Sequence, residues 1–383
     1  MRRKVAIVLL GAFLVVTQAA GATGAFVEPV KVLHTFQGAI APNQCSAACF
    51  GWAVSELRDV DGDRAQEAMI GEPATSAGST YVYSGRSGRL LYRFDGPADG
   101  SLEGYAMADA GDTDRDRVPD IVTAASGAGP GHARVFSGRT GRLLHDLTGV
   151  HEGDSFGAAV ASAGEVDRDG RADVLVGAEL NDDAGSNAGK AYIFSGRSGA
   201  LIRELQAGDA SDNFGSATDW TKDLNGDRAP DQIVGARNAG LVGDSPGPGR
   251  AYVFSGRTGE LLFEIVPPPS GGNLGWFFVA GVGDVNGDRT PDVYAADFSD
   301  ATHGPGTGRA AVYSGRDGAE LLSWTDSAAG EGLGPGREAG DVNDDGRPDL
   351  AIGSFRSGSG LSKPGRSKSS PGATARSYAR SPA

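Results

Sequence analysis

Six short segments of the chain carry oxygen-bearing side chains at the first, third, fifth and ninth positions of a loop. They are Asp59, Asp61, Asp63 and Glu67; Asp112, Asp114, Asp116 and Asp120; Glu165, Asp167, Asp169 and Asp173; Asp223, Asn225, Asp227 and Asp231; Asp284, Asn286, Asp288 and Asp292; and Asp341, Asn343, Asp345 and Asp349. Carboxylates crowded in this way repel one another unless a cation offsets them. Alternate residues of a tight loop turn inward together. Ca²⁺ accepts six to eight oxygen ligands at roughly 2.3–2.6 Å, and the seventh residue offers its carbonyl, so each segment is a candidate Ca²⁺ site. An EF-hand loop starts with the same spacing but needs an acid at position twelve and a helix after it. Position twelve here is Ile70, Thr123, Val176, Val234, Ala295 or Ile352, none of which ligates through its side chain. Turn chemistry alone accounts for one or two acids per loop, not for three or four converging six times.

The charge balance points the same way. The formal charge is −14 over 383 residues, and its acids are bunched in these loops. Met1 to Ala25 reads as a secretory leader: basic Arg2, Arg3 and Lys4, an apolar stretch from Val5 to Val16 too short to span a bilayer, and Ala20-Gly21-Ala22 before an expected cleavage after residue 22. Losing the three basic residues takes −14 to −17, and the twelve charges of six Ca²⁺ bring it to −5, an ordinary charge for a soluble protein. The two cysteines, Cys45 and Cys49, have no further Cys or His beside them to complete a zinc site, and in an exported chain they are expected to form a local disulfide. The expected location is therefore secreted or cell-surface.

The elements that must position the loops follow from the repeat. The loop anchors at 59, 112, 165, 223, 284 and 341 recur every 53 to 61 residues. Phe50-Gly51, Phe156-Gly157 and Phe214-Gly215 open three units, with weaker forms at Gly104-Tyr105, Leu274-Gly275 and Leu333-Gly334. After each acidic loop comes a short apolar strand such as Val174 to Ala178, then a Gly-rich loop, a strand such as Ala191 to Phe194, a Ser-Gly-Arg-x-Gly turn beginning at Ser84, Ser137, Ser195, Ser255 or Ser314, and a last strand such as Leu261 to Ile265. Four short antiparallel strands per unit cannot bury both faces alone, so the units must stack radially. The expectation is all-β: a propeller of six four-stranded blades over residues 26–355, its last blade incomplete. Val32 to Phe36 resembles a fourth strand and is expected to close the ring. Residues 356–383, rich in Ser, Gly, Pro and Arg, are expected to form a disordered tail.

Phe-Gly, then Asp-x-Asp/Asn-x-Asp-x-x-x-Asp, then Val-Gly-Ala, then Tyr-Val-Phe-Ser-Gly resembles the pattern of FG-GAP repeats, and the unit from Phe156 to Gly196 matches it best. The likeness extends over about residues 30 to 355 and is of the integrin α N-terminal kind. It implies a β-propeller, usually seven-bladed, with calcium held between the first two strands of a blade, and extracellular recognition or adhesion. Glu at 67 and 165 departs from the pattern and implies weaker binding there.

Strand alternation puts the acidic loops and Ser-Gly-Arg turns on one face. The opposite face then carries the variable segments Glu72 to Gly78, Ala124 to His132, Glu179 to Gly189, Arg237 to Gly249 and Asp297 to Gly308, where a protein or glycan partner is expected. No nucleic-acid signature is present, and no other segment is long and apolar enough to span a membrane. An enzyme would need His132 and His303 to converge with Asp182, Asp183 or Asp297, and no Gly-x-Ser-x-Gly or His-Glu-x-x-His motif supports one. The expectation is a binding module, with a propeller enzyme or a fragment of a larger adhesin as rivals. Trp52, Trp220, Trp276 and Trp324 read as core residues.

Overall fold

The computed structural model of the chain describes residues 33–38, 49–240, 246–327, 329–341, 345–354 and 374–378. Turn residues punctuate the sequence so densely that the apolar runs between them are four to nine residues long, and every element that forms among the described residues is a β-strand.

Blade 1 comprises β1 (Val54–Leu57), β2 (Glu67–Glu72), β3 (Ser79–Tyr83) and β4 (Leu90–Asp95). Blade 2 comprises β5 (Glu103–Gly111), β6 (Asp120–Ala125), β7 (His132–Phe136) and β8 (Leu143–Thr148), and blade 3 comprises β9 (Phe156–Gly164), β10 (Asp173–Ala178), β11 (Lys190–Phe194) and β12 (Leu201–Leu205). Blade 4 comprises β13 (Phe214–Thr221), β14 (Asp231–Ala236), β15 (Arg250–Phe254) and β16 (Leu261–Ile265), and blade 5 comprises β17 (Val279–Val282), β18 (Asp292–Asp297), β19 (Arg309–Tyr313) and β20 (Glu320–Thr325). In all five, neighbours in sequence are neighbours in the sheet. The sixth sheet has β21 (Leu333–Gly340), β22 (Asp349–Ser354) and β23 (Thr374–Tyr378), so the last blade is short of four strands. The first strands adjoin in chain order from β1 to β21, which is the arrangement of a propeller.

Burial follows from that order. The second strands of blades 1 to 5 are buried along their whole length, which is why they read as unbroken apolar runs. The fourth strands keep only their last apolar residue fully buried in blades 3 and 4, as at Leu205 and Ile265. Core packing lies between blades rather than within them: Val122, Val135 and Leu147 of blade 2 pack with Phe156, Val174 and Val176 of blade 3. Glycine sets the spacing, because a Cβ on Gly177 would stand 2.1 Å from the carbonyl oxygen of Gly215 in the next blade.

Two expectations about the ends change. Residues 33–38 form no strand, although His34 Nε2 lies 3.1 Å from the carbonyls of Gly85 and Arg86 and Phe36 packs on Tyr83 at 4.3 Å. His34 thus sits against blade 1 as Tyr92 sits against blade 2, where its hydroxyl donates to the Gly138 carbonyl at 2.9 Å; Val32 lies outside the described residues. Within the tail, Thr374–Tyr378 pairs antiparallel with β22, with Ile352 opposite Arg376, whereas no strand was expected after residue 355. Backbone pairing needs no large apolar residue, so a composition poor in them did not exclude it. Cys49 is disulfide-bonded, as expected; its expected partner Cys45, like the leader, lies outside the described residues.

Candidate metal centres and recognition face

Each acidic loop is held by its own backbone. In blade 1, Asp59 accepts from the N–H groups of Gly62, Asp63 and Arg64 at 2.7, 3.1 and 2.8 Å. Asp223 in blade 4 and Asp284 in blade 5 repeat the set at 2.6, 3.1 and 2.7 Å. Asp112 accepts from Asp116 and Arg117, and Asp341 from Asp345 and Gly346. The third residue accepts from the fifth, and the fifth from the seventh, as in Asp63 N–H to Asp61 at 3.1 Å and Ala65 N–H to Asp63 at 2.8 Å. Donors converge on one carboxylate only if the chain turns left-handed at positions four and six, and it does: Gly62 and Arg64 have φ of 80° and 68°, Gly226 and Arg228 of 83° and 67°. An arginine with positive φ is strained, so the loop shape is imposed on the sequence at these positions.

In the first five loops the ninth residue is the most buried acid. Asp120, Asp173, Asp231, Asp292 and Glu67 are fully inaccessible. Each accepts from the N–H of loop position two, as in Val166 to Asp173 at 2.9 Å. Each also accepts from the glycine of the Ser-Gly-Arg turn: Gly85 at 3.2, Gly138 at 2.9, Gly196 at 3.0, Gly256 at 3.1 and Gly315 at 3.2 Å. Burial nevertheless dominates and raises all five, Asp173 to about 7 and Asp231 and Asp292 to about 6, with the backbone bonds pulling the other way and the neighbouring loop acids adding to the rise.

The donor sets fit a hard cation. Carboxylate oxygens of Asp59, Asp61 and Glu67 lie within 4.8 Å of one another, as do those of Asp112, Asp114 and Asp116. In blade 3, where Glu165 replaces Asp at position one, Oε1 is buried without a hydrogen-bond partner. Every side-chain donor is an oxygen, the chemistry Ca²⁺ takes. Among the described residues no other trio of acids comes within 4.8 Å, and Asn343 lies outside them.

The Ser-Gly-Arg turns read in the sequence as hairpin turns. They are also the lids of the acidic loops. Besides the glycine N–H, Ser255 Oγ donates to Asp227 at 2.8 Å, Arg139 Nε to Asp116 at 2.6 Å, and Arg86 lies 3.7 Å from Asp63. Glycine is required by space: a Cβ on Gly138, Gly196 or Gly315 would meet the carbonyl oxygen of loop position eight at 1.8 Å. These contacts place the loops and turns on one face, as strand alternation requires.

On the opposite face the loops of blades 3, 4 and 5 join through side-chain amides. Asn213 Nδ2 donates to the Glu179 carbonyl at 3.1 Å, Asn238 Nδ2 to Asn213 at 2.5 Å, Asn273 Nδ2 to the Arg237 carbonyl at 3.4 Å, and Ser299 Oγ to Asn273 at 2.9 Å. Arg237 pairs with Glu179 at 2.9 Å and lies 4.9 Å over the Trp276 ring. Trp52 and Trp220 depart from the core reading, at 45% and 37% exposed. His132 is held by Asp146 at 2.8 Å and His303 lies against the Asp326 carbonyl at 3.1 Å; they sit on blades 2 and 5, each bonded within its own blade. Residues 241–245 lie outside the described part.

The family described as FG-GAP repeat matches residues 156–194, the unit on blade 3 that carries Glu165 to Asp173. The chain is 29% identical over 210 residues to integrin alpha-5 of Xenopus laevis, covering 49% of this chain and 20% of that protein. It is 27% identical over 233 residues to integrin alpha-8 of Gallus gallus, covering 55% and 22%, and 30% identical over 177 residues to integrin alpha-E of Mus musculus, covering 40% and 15%. The matched region spans about a fifth of the length of these relatives.

Proposed function

From its standing as an integrin α-like FG-GAP propeller, we propose that this chain is a calcium-stiffened recognition module working outside the cytoplasm, and that it binds rather than catalyses. The observation that carries the reading is the repeated loop: oxygen-bearing side chains at positions one, three, five and nine held by backbone donors, the ninth buried beneath the Ser-Gly-Arg turn in five of the six. Such a buried acid is costly alone and stabilising beside a cation.

The ligands are the residues at those positions in all six loops, with the carbonyl at position seven. Bound Ca²⁺ would neutralise the acids and tie each loop to its turn. At a hundredfold excess over its dissociation constant, each independent ion adds about 2.7 kcal/mol to stability. A leader over 1–22 and the disulfide at Cys49 fit an oxidising compartment.

A rigid scaffold with joined polar loops at one end suits recognition of a protein or glycan. The partner surface is assigned to the loops 179–189, 237–249 and 297–308. The test is capture of purified matrix proteins and glycans by immobilised protein, wild type and with loop 179–189 shortened to the length of 72–78. Capture that is lost on shortening while the fold persists supports the assignment; capture that survives shortening but fails on changes to the Ser-Gly-Arg turns overturns it.

A further inference from the structure

The repeat makes the junctions between blades comparable position by position, and one of them differs. Three positions face each junction on the acidic-loop side: the residue before the fourth strand of one blade, and in the next blade loop position seven and the arginine of the Ser-Gly-Arg turn. Between blades 1 and 2 these are Arg89, Val118 and Arg139; between blades 3 and 4, Ala200, Ala229 and Arg257; between blades 4 and 5, Glu260, Thr290 and Arg316. Between blades 2 and 3 all three are arginine: Arg142, Arg171 and Arg197.

At that junction a cleft of about 170 Å³ opens, lined by these three arginines, His145, Gly196 and Asp114 among others. Arg171 is anchored, its Nη1 donating to the Thr113 carbonyl at 2.9 Å, and His145 Nε2 bonds the Gly196 carbonyl at 2.6 Å, which holds the two walls together. The turn arginines of blades 1, 2 and 4 are engaged: Arg86 with Asp63 at 3.7 Å, Arg139 with Asp116 at 2.6 Å and Arg257 with Asp227 at 3.5 Å. Among the described residues, Arg142, Arg171 and Arg197 have no carboxylate within 4 Å. Three guanidiniums thus gather around one cleft with no carboxylate paired to any of them within 4 Å.

The geometry points to an oxyanion-binding site between blades 2 and 3 that takes a sulfate or phosphate ester group. Guanidinium presents paired donors that match two oxygens of such a group. The cleft has room for roughly five or six water molecules, hence for a tetrahedral oxyanion of five heavy atoms. Asp114 is the one acid on its wall, and it belongs to the trio with Asp112 and Asp116. On the calcium reading proposed above, a cation in that loop offsets Asp114 and tightens anion binding.

Calorimetric titration at low ionic strength with a heparin-type sulfated oligosaccharide and with a phosphorylated monosaccharide tests the site. Arg142→Ala/Arg197→Ala, both exposed positions, should weaken binding at least tenfold, while Arg89→Ala on blade 1, the exposed counterpart of Arg142, should leave it within twofold. Preference for one probe identifies the natural source of the group. Absence of binding by wild type, unchanged binding by the first variant, or equal weakening by the second overturns the site. Repeating the titration in calcium and in EDTA separates the two readings: loss of the arginine dependence sinks the anion site, whereas loss of the calcium dependence sinks only the cation in the blade 2 loop.

Discussion

Replacing Asp173 by Asn should change sign in its effect on stability with pH, provided no divalent ion is present. The carboxyl is inaccessible and burial pushes it up to about 7, against the bonds from Val166 and Gly196 and with a smaller rise from Asp167 and Asp169. Its unfolded value is near 3.9, so between about pH 4 and 7 the folded chain binds the extra proton. This group's contribution is therefore fully present below pH 4 and is lost as pH rises through 7. Some three units correspond to about 4 kcal/mol, and screening by solvent at the loop reduces this to about 2. Asn removes the charge but gives up one backbone hydrogen bond, about 1 kcal/mol. In EDTA at pH 8 the variant should be about 1 kcal/mol more stable than wild type, and at pH 4, where the contribution is nearly all present, about 1 kcal/mol less. Urea unfolding at both pH values reads this out, with calcium reversing the advantage at pH 8. A variant less stable than wild type at both pH values in EDTA would refute the claim that the buried acid strains the empty loop.

Arg228→Gly should stabilise the chain by up to about 1 kcal/mol, because it relieves a left-handed φ of 67°; a melt of wild type and variant in calcium checks it. Gly196→Ala should cost more than about 2 kcal/mol and remove the ion from blade 3, since its Cβ would meet the Ala172 carbonyl oxygen at 1.8 Å and push the turn off Asp173. Calcium content and urea midpoint report both effects. Leu175→Ala, in the core shared by blades 3 and 4, should lower stability by about 2–5 kcal/mol without changing the number of ions held by the remaining folded protein.

The blades and acidic loops were legible because both are local. Asp, x, Asp, x, Asp is a pattern within nine residues, and the short runs between glycines announce strands. What the Ser-Gly-Arg turns do was not legible, because Gly196 meets Asp173 across 23 residues and the contact depends on two turns folding to the same face. The one available signal was that the turn glycine recurs in five of the six units that carry the acid. Trp52 and Trp220 were misread for the opposite reason: their place beside the repeat signature suggested core, yet Trp52 just ahead of β1 and Trp220 near the end of β13 are each more than a third exposed. The final strand was missed because Thr374–Tyr378 pairs through its backbone, which composition does not report.

Metal content measured on the mature protein after dialysis against trace calcium, paired with a melt before and after EDTA, bears most directly on the account. Six loops with one shared frame predict about six Ca²⁺ per chain and a melting temperature that falls sharply on chelation. Protein that carries no calcium at saturating concentration and melts at the same temperature in EDTA would contradict it.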